Sequence, residues 1–166
     1  MSIKDGAIQE DEYFDSRATT FHTLGYEQSA PEDFIRRLQQ HHVAKVVDVR
    51  ADPVSRKPGF SKHQLKALLA AAGIDYVHVQ TLGAPKELRA ELRSSGSWWS
   101  YIKAYNARVL SRSIEEVDFL IRLAARERIS LLCFERDPDQ CHRSLIACAM
   151  IERSNGRKLR VEHIRY

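Results

Sequence analysis

Apolar positions along this chain recur with two different periods, and the switches between those periods mark its elements. FHTLGY (21–26) reads as a short strand. Ser29 stands three residues before Glu32, with Pro31 between them. This pattern opens a helix with Ser29 as N-cap and Pro31 in the first turn. Phe34, Ile35 and Leu38 form its apolar stripe. VAKVVDV (43–49) is rich in β-branched residues and reads as a buried strand. After a polar loop, Ser61 can cap a helix carrying Leu65, Leu68 and Leu69, which Gly73 stops. Residues 74–82 alternate like a strand, and two helical stretches follow at about 98–110 and 114–126. ISLLCF (129–134) is a further strand. Asp139 can cap a helix running to Arg153 and ended by Asn155-Gly156, and LRVEHI (159–164) is the last strand. Strands alternating with helices predict one α/β domain, a mostly parallel sheet of about five strands with helices on both faces. The expected division is an acidic arm over residues 1–18 and the domain over 19–166.

Composition agrees with that reading. The 166 residues are 43% hydrophobic and 29% charged, enough for one core without disulfide or metal staples. No apolar run approaches the roughly 18 residues of a membrane span, and the N-terminus has no apolar signal core. Cys133, Cys141 and Cys148 are an odd, clustered set and a poor disulfide framework, so a reducing cytoplasm is the expected compartment. The net charge of +4 hides an asymmetry: residues 1–16 carry five acids against Lys4, which leaves a basic body. Such a body can attract nucleic acid, although a solvated basic surface is the simpler reading.

Candidate chemistry follows from where the strands end. In open α/β sheets, ligands bind outside the carboxyl ends of the strands. The predicted strands deliver Tyr26 and Glu27, then Asp48 and Arg50, then Glu135 and the run to Arg143, all to one rim. With Asp139 as N-cap, Cys141, His142 and Arg143 fall in the first turn of a helix, whose free N–H groups favour an anion. Arg143 can add bidentate contacts to a phosphate. Cys141 is the candidate nucleophile or redox thiol and His142 an acid or base. Glu135 reads as a base or, slightly favoured, as the ion-pair partner of Arg50 or Arg143. The loop 50–61 gathers Arg50, Arg56 and Lys57 with Ser55 and turn residues, which suits a phosphate-facing loop.

The bland alternatives are concrete. Cys141 can equally be a buried filler, Cys133 and Cys148 read as core, and His142 can simply bond a carbonyl. Zinc is disfavoured: no C-x-x-C knuckle is present, and neighbours 141 and 142 on a helix would point roughly 100° apart. No metal is assigned and no cofactor is specified. Trp98, Tyr101 and Tyr105 share a helical face that packs on the sheet more readily than it stacks on a base. P-loop, dinucleotide-binding and nucleophile-elbow motifs are absent from the sequence.

Four segments in order, TLGYE (23–27), VVDVRADPVSRKPGFSK (46–62), GIDYVHVQTLGAPKELR (73–89) and LLCFERDPDQCHRSLIA (131–147), resemble the DUF488 family of bacterial and archaeal proteins. The similarity runs from about residue 22 to the C-terminus. It implies a compact α/β domain, and the family's name records an undefined function. Its motif positions fall on Tyr26, Glu27, Asp48, Arg50, Ser55, Arg56, Pro58, Phe60, Gly83, Cys133, Glu135, Cys141, His142 and Arg143. Many relatives carry Gly-Gly where this chain has Gly83-Ala84. The resulting expectation is an enzyme with an anion-binding cleft. Cys141, His142, Glu135 and Asp48 are its catalytic candidates, and Tyr26, Glu27, Arg50, Ser55, Arg56 and Arg143 its ligand-binding ones. The ligand is a phosphate-bearing small molecule or nucleic acid, and the membrane is excluded as a partner. The alternative is a non-catalytic nucleic-acid-binding module. The sequence leaves oligomeric state open.

Overall fold

The β-branched and leucine-rich runs become the middle of a parallel sheet. The computed structural model describes residues 18–154 and 158–166. Strand β1 (Thr19–Gly25) leads to helix α1 (Pro31–Gln40), strand β2 (Lys45–Asp48), helix α2 (Lys62–Ala71) and strand β3 (Asp75–His78). Three helices follow: α3 (Lys86–Ser95), α4 (Trp98–Arg108) and α5 (Ile114–Ala124). Strand β4 (Ile129–Cys133), helix α6 (His142–Arg153) and strand β5 (Leu159–His163) complete the chain. The strand order is β3-β2-β4-β1-β5, with every pairing parallel. All five residues of β4, the central strand, are buried, which fits a strand covered on both faces.

Two cores lie on opposite faces of the sheet. Phe34 and Leu38 of α1 and Leu65 and Leu69 of α2 pack with Val46, Phe60 and Leu132 on one face. Helices α3 to α6 cover the other, where Leu88, Tyr105, Leu120 and Ile146 meet Val47, Val49 and Leu131. Each fully buried side chain of this size contributes about 1.5–3 kcal/mol. The helices that follow β1 and β2 thus lie on one face and the helix that follows β4 on the other. β4 sits between β1 and β2, so the chain diverges at its carboxyl end, the position at which such sheets open a crevice.

Several local expectations need correction. Pro31 does begin α1, but Ala30 is its N-cap residue, and the Ser29 hydroxyl donates to the Ala30 carbonyl instead of capping. Ser61 holds the N-cap position of α2, yet its hydroxyl bonds Ser55 across the loop. The strand expected over 74–82 stops at His78, and a 3-10 turn occupies Gln80–Leu82. α3 was not expected at all. Cys148 is exposed, because Ile146, Ala147 and Met150 define the inward face of α6. The acidic arm lies almost wholly outside the described residues, as does the helix stop at Asn155-Gly156. Among the described residues, no helix is long and apolar enough to cross a membrane.

Candidate active site

The carboxyl ends of β1, β2 and β4 open into a cleft of about 670 Å³. Cys133, Glu135 and His142 line its floor, together with Tyr26, Arg50 and Tyr101. Ser55, Arg56, Lys57, Arg89, Arg93 and Trp98 line its sides and lip. Residues more than 75 positions apart in sequence therefore share one mouth, as the strand-end reading requires.

Local chain paths explain the floor. Asp137 accepts from the Asp139 amide at 3.0 Å and caps a 3-10 turn over Pro138–Gln140. That turn delivers Cys141 in an extended conformation (φ −137°, ψ 138°) as the N-cap residue of α6. Cys141 is therefore not in the first helical turn, and Asp139 does not cap α6. His142 begins the helix, and its Nε2 lies 2.9 Å from the Val49 carbonyl. Since that carbonyl can only accept, Nε2 carries the proton and Nδ1 faces Cys133 Sγ at 3.6 Å. One oxygen of the Glu135 carboxylate, Oε2, lies 2.8 Å from Cys133 Sγ and 3.2 Å from Cys141 Sγ. Cys133, Cys141 and His142 are all at most 5% exposed. Glu135 makes no ion pair with either arginine; the thiols take that place.

The electrostatics of this cluster are strongly coupled. Burial pushes the Cys133 thiol well above its usual value, and the bond to Cys141 with the charges of Cys141 and Glu135 adds to it. Burial also opposes ionisation of Cys141, but the bonds from Cys133 and His142 and the His142 and Arg143 charges outweigh it and bring the thiol well down. Glu135 is raised, chiefly by burial and then by the charge on Cys141. Burial disfavours charge on His142, yet the Cys141 bond and charge and the Val49 carbonyl lift it above its usual value. Such perturbed, converging groups in a cleft mark a functional-site candidate.

Two buried arginines support the floor, and of these Arg50 also lines the cleft. Arg50 donates through Nε (2.8 Å) and Nη2 (2.6 Å) to Asp48, and through Nη1 to the Tyr26 hydroxyl and the Phe60 carbonyl. Burial disfavours the Arg50 charge, but Asp48 more than restores it. Asp48 also accepts from the Tyr76 hydroxyl at 2.7 Å and is fully buried behind the cleft. Arg143, with no exposed surface, donates to Thr23 Oγ1 and to the carbonyls of Glu135 and Arg136. Its guanidinium holds the loop after β4 in place. Gly25 makes that approach possible: a Cβ there would lie 1.7 Å from the Glu135 carbonyl oxygen and 3.0 Å from Arg143 Nη1. Gly83 plays the same part beneath Ala51, whose amide would be 2.1 Å from an added Cβ, whereas Ala84 lines the cleft.

The remaining sequence candidates separate. Tyr26, Arg50, Ser55 and Arg56 reach the cleft with Glu135 and His142. Cys141, Asp48 and Arg143 lie behind it, and Glu27 accepts from the Arg136 amide at 3.0 Å. Cys133, read as core, is buried as that reading expects and also lines the cleft; its spacing of two from Glu135 at the end of β4 was the available signal. Arg89 and Arg93 were missed together with α3. Arg89 pairs with Asp52 at 3.2 Å, while Arg56 and Arg93 have no ion-pair partner among the described residues.

A parallel α/β sheet with a crevice at its strand-order reversal, floored by thiols, imidazole and carboxylate under a cationic lip, defines the class. Within it the chain belongs to the DUF488 family: residues 30–150 match the family model described as "Domain of unknown function DUF488". That span takes in the loop 50–61 and every floor residue except Tyr26, which lies in the segment 23–27. No curated protein and no solved structure matches the chain.

Proposed function

We propose that this protein is an enzyme that takes a phosphate-bearing small molecule into the cleft and acts on it at the floor. The observation that carries this reading is the pairing of two unlike surfaces in one cavity. Arg56 and Arg93 stand without carboxylate partners at the lip, and Cys133, Glu135 and His142 converge below them. Free guanidinium groups, one on the loop after β2 and one on α3, suit phosphate oxygens. The volume is that of a small-molecule site and not of a polymer groove, which favours a phosphate-bearing small ligand over nucleic acid. Trp98, Leu92 and Val54 give the ligand's remaining part an apolar wall. Arg50 and Asp48 act here as positioning residues for Tyr26 and the loop, and Arg143 as the positioning residue for Glu135.

Isothermal titration of the full chain with inorganic phosphate, pyrophosphate and a nucleoside monophosphate tests the reading. Binding should weaken about 10-fold in Arg56→Ala and again in Arg93→Ala, the effect of losing one charge-assisted hydrogen bond. Absence of binding at millimolar concentrations, or affinity indifferent to both substitutions, would overturn it.

A further inference from the structure

We propose that Cys133, Glu135, Cys141 and His142 form a tetrahedral zinc site at the floor of the cleft. Each offers one ligand atom, and these four atoms lie within 4.8 Å of one another. The objection drawn from sequence, that adjacent residues 141 and 142 diverge on a helix, fails because Cys141 is extended and only His142 is helical. The approach of Cys141 from the turn and His142 from the helix end lets neighbours in sequence reach one point.

Three observations point to an ion. The first is the imidazole. Its Nε2 is held by the Val49 carbonyl, leaving Nδ1 aimed at the cluster, which is the outer-shell arrangement that fixes a metal-binding histidine. The second is spacing. A sulfur at ~2.3 Å and a nitrogen at ~2.1 Å from a tetrahedral ion stand about 3.6 Å apart. Cys133 Sγ and His142 Nδ1 are separated by 3.6 Å. The thiol–carboxylate distances of 2.8 and 3.2 Å belong to protonated, hydrogen-bonded partners. They open to about 3.5 Å when the ion replaces the protons, a shift within reach of side-chain rotation.

The third is charge. Arg143 is wholly buried and touches only neutral oxygens, those of Thr23, Glu135 and Arg136. A buried cation of this kind needs a net negative neighbour. Two thiolates and a carboxylate carry three negative charges, a divalent ion cancels two, and the remaining one balances Arg143. Two thiolates with an imidazole and a carboxylate in tetrahedral array select zinc over magnesium or calcium. The site stands without the cleft reading. Where that reading also holds, the ion faces the phosphate-bearing ligand from below, because Cys133, Glu135 and His142 line the cleft and Cys141 anchors the ion from behind.

The test uses the full chain, kept reduced and stripped with a chelator, then titrated with cobalt(II) and zinc. The expected result is one cobalt per chain with a near-ultraviolet thiolate-to-cobalt band and the intense visible bands of a tetrahedral ion, all abolished by zinc. Cys141→Ser should weaken binding about 100-fold, at least the effect of removing an outer-shell partner. If that variant does not fold, Glu135→Gln, which keeps the side chain's shape, should still shift the visible bands. A wild-type protein that shows no thiolate band with equimolar cobalt, or a band that both Cys133→Ser and Cys141→Ser leave unchanged, overturns the site. Arg56→Ala should weaken phosphate binding and leave the cobalt bands unchanged, and it is the wild-type protein that separates the two proposals. Cobalt binding without phosphate binding removes the cleft reading alone, and phosphate binding without cobalt binding removes the metal site alone.

Discussion

The floor and the lip of the cleft both carry arginines, but they use them in opposite ways. Arg50 and Arg143 are buried, and their donors go to Asp48, Tyr26, Thr23 and main-chain carbonyls. Arg56 and Arg93 are exposed and carry no such bonds among the described residues. The buried pair builds the shape of the site, and the exposed pair is left to meet whatever enters. On the proposed reading, the same residue type serves folding where the chain path encloses it and binding where it is left at the lip.

That contrast can be broken most forcefully at Arg143. Arg143→Ala would strand the buried Thr23 hydroxyl and two part-buried carbonyls and leave a void, so chemical denaturation should show a loss of about 3–5 kcal/mol. A loss below about 1 kcal/mol would mean that water satisfies those carbonyls and that the guanidinium does not build the floor. Gly25→Ala comes next. Its methyl would strike the Glu135 carbonyl, and backbone displacement should cost about 3 kcal/mol while moving Glu135 away from the thiols. Unaltered stability together with unaltered cobalt spectra would contradict it. Asp48→Asn keeps the volume but removes the charge facing Arg50, and about 2 kcal/mol should be lost by the same denaturation measurement.

Acid provides a gentler probe away from the cleft. Burial lowers the pKa of His22 below 6.5, with Glu162 opposing and His41 and Arg128 reinforcing the shift. The folded state therefore binds this proton more weakly than the unfolded chain does. Stability from this group is complete above pH 6.5 and declines as pH falls toward the depressed folded value. Unfolding midpoints measured from pH 7.5 down to 5 should fall, and His22→Asn should flatten the slope. The smallest effect belongs to the lip: Arg93→Ala should leave unfolding within about 0.5 kcal/mol of wild type while weakening phosphate binding.

The sequence carried the middle of the sheet well because β2 and β4 are buried on both faces. VAKVVDV and ISLLCF can be little else, and the order of elements then implied a rim. It carried α3 poorly, since KELRAELRSS buries only Leu88 and otherwise reads as solvated loop. Cys148 reads as core because Ala147 and Ala149 flank it, but helical phase, not local composition, decides which way a residue points. The fate of each guanidinium was least legible. Whether Arg143 meets a phosphate or a carbonyl depends on a loop path set by Asp137 and Gly25, residues that no pattern connects to it. Zinc was disfavoured for a related reason: Asp139 read as the helix cap, which moved Cys141 into a helix it only borders.

The place of β4 between β1 and β2 also has a consequence for biosynthesis. The two flanking strands emerge from the ribosome more than 80 residues ahead of the strand that joins them. They cannot pair with each other in the native order, so a nascent chain must wait with an open slot until residues 129–133 arrive. Pairing at such separation slows folding. Cys133 ends that strand and Cys141 and His142 are translated later still, so the pocket can be assembled only near the end of synthesis.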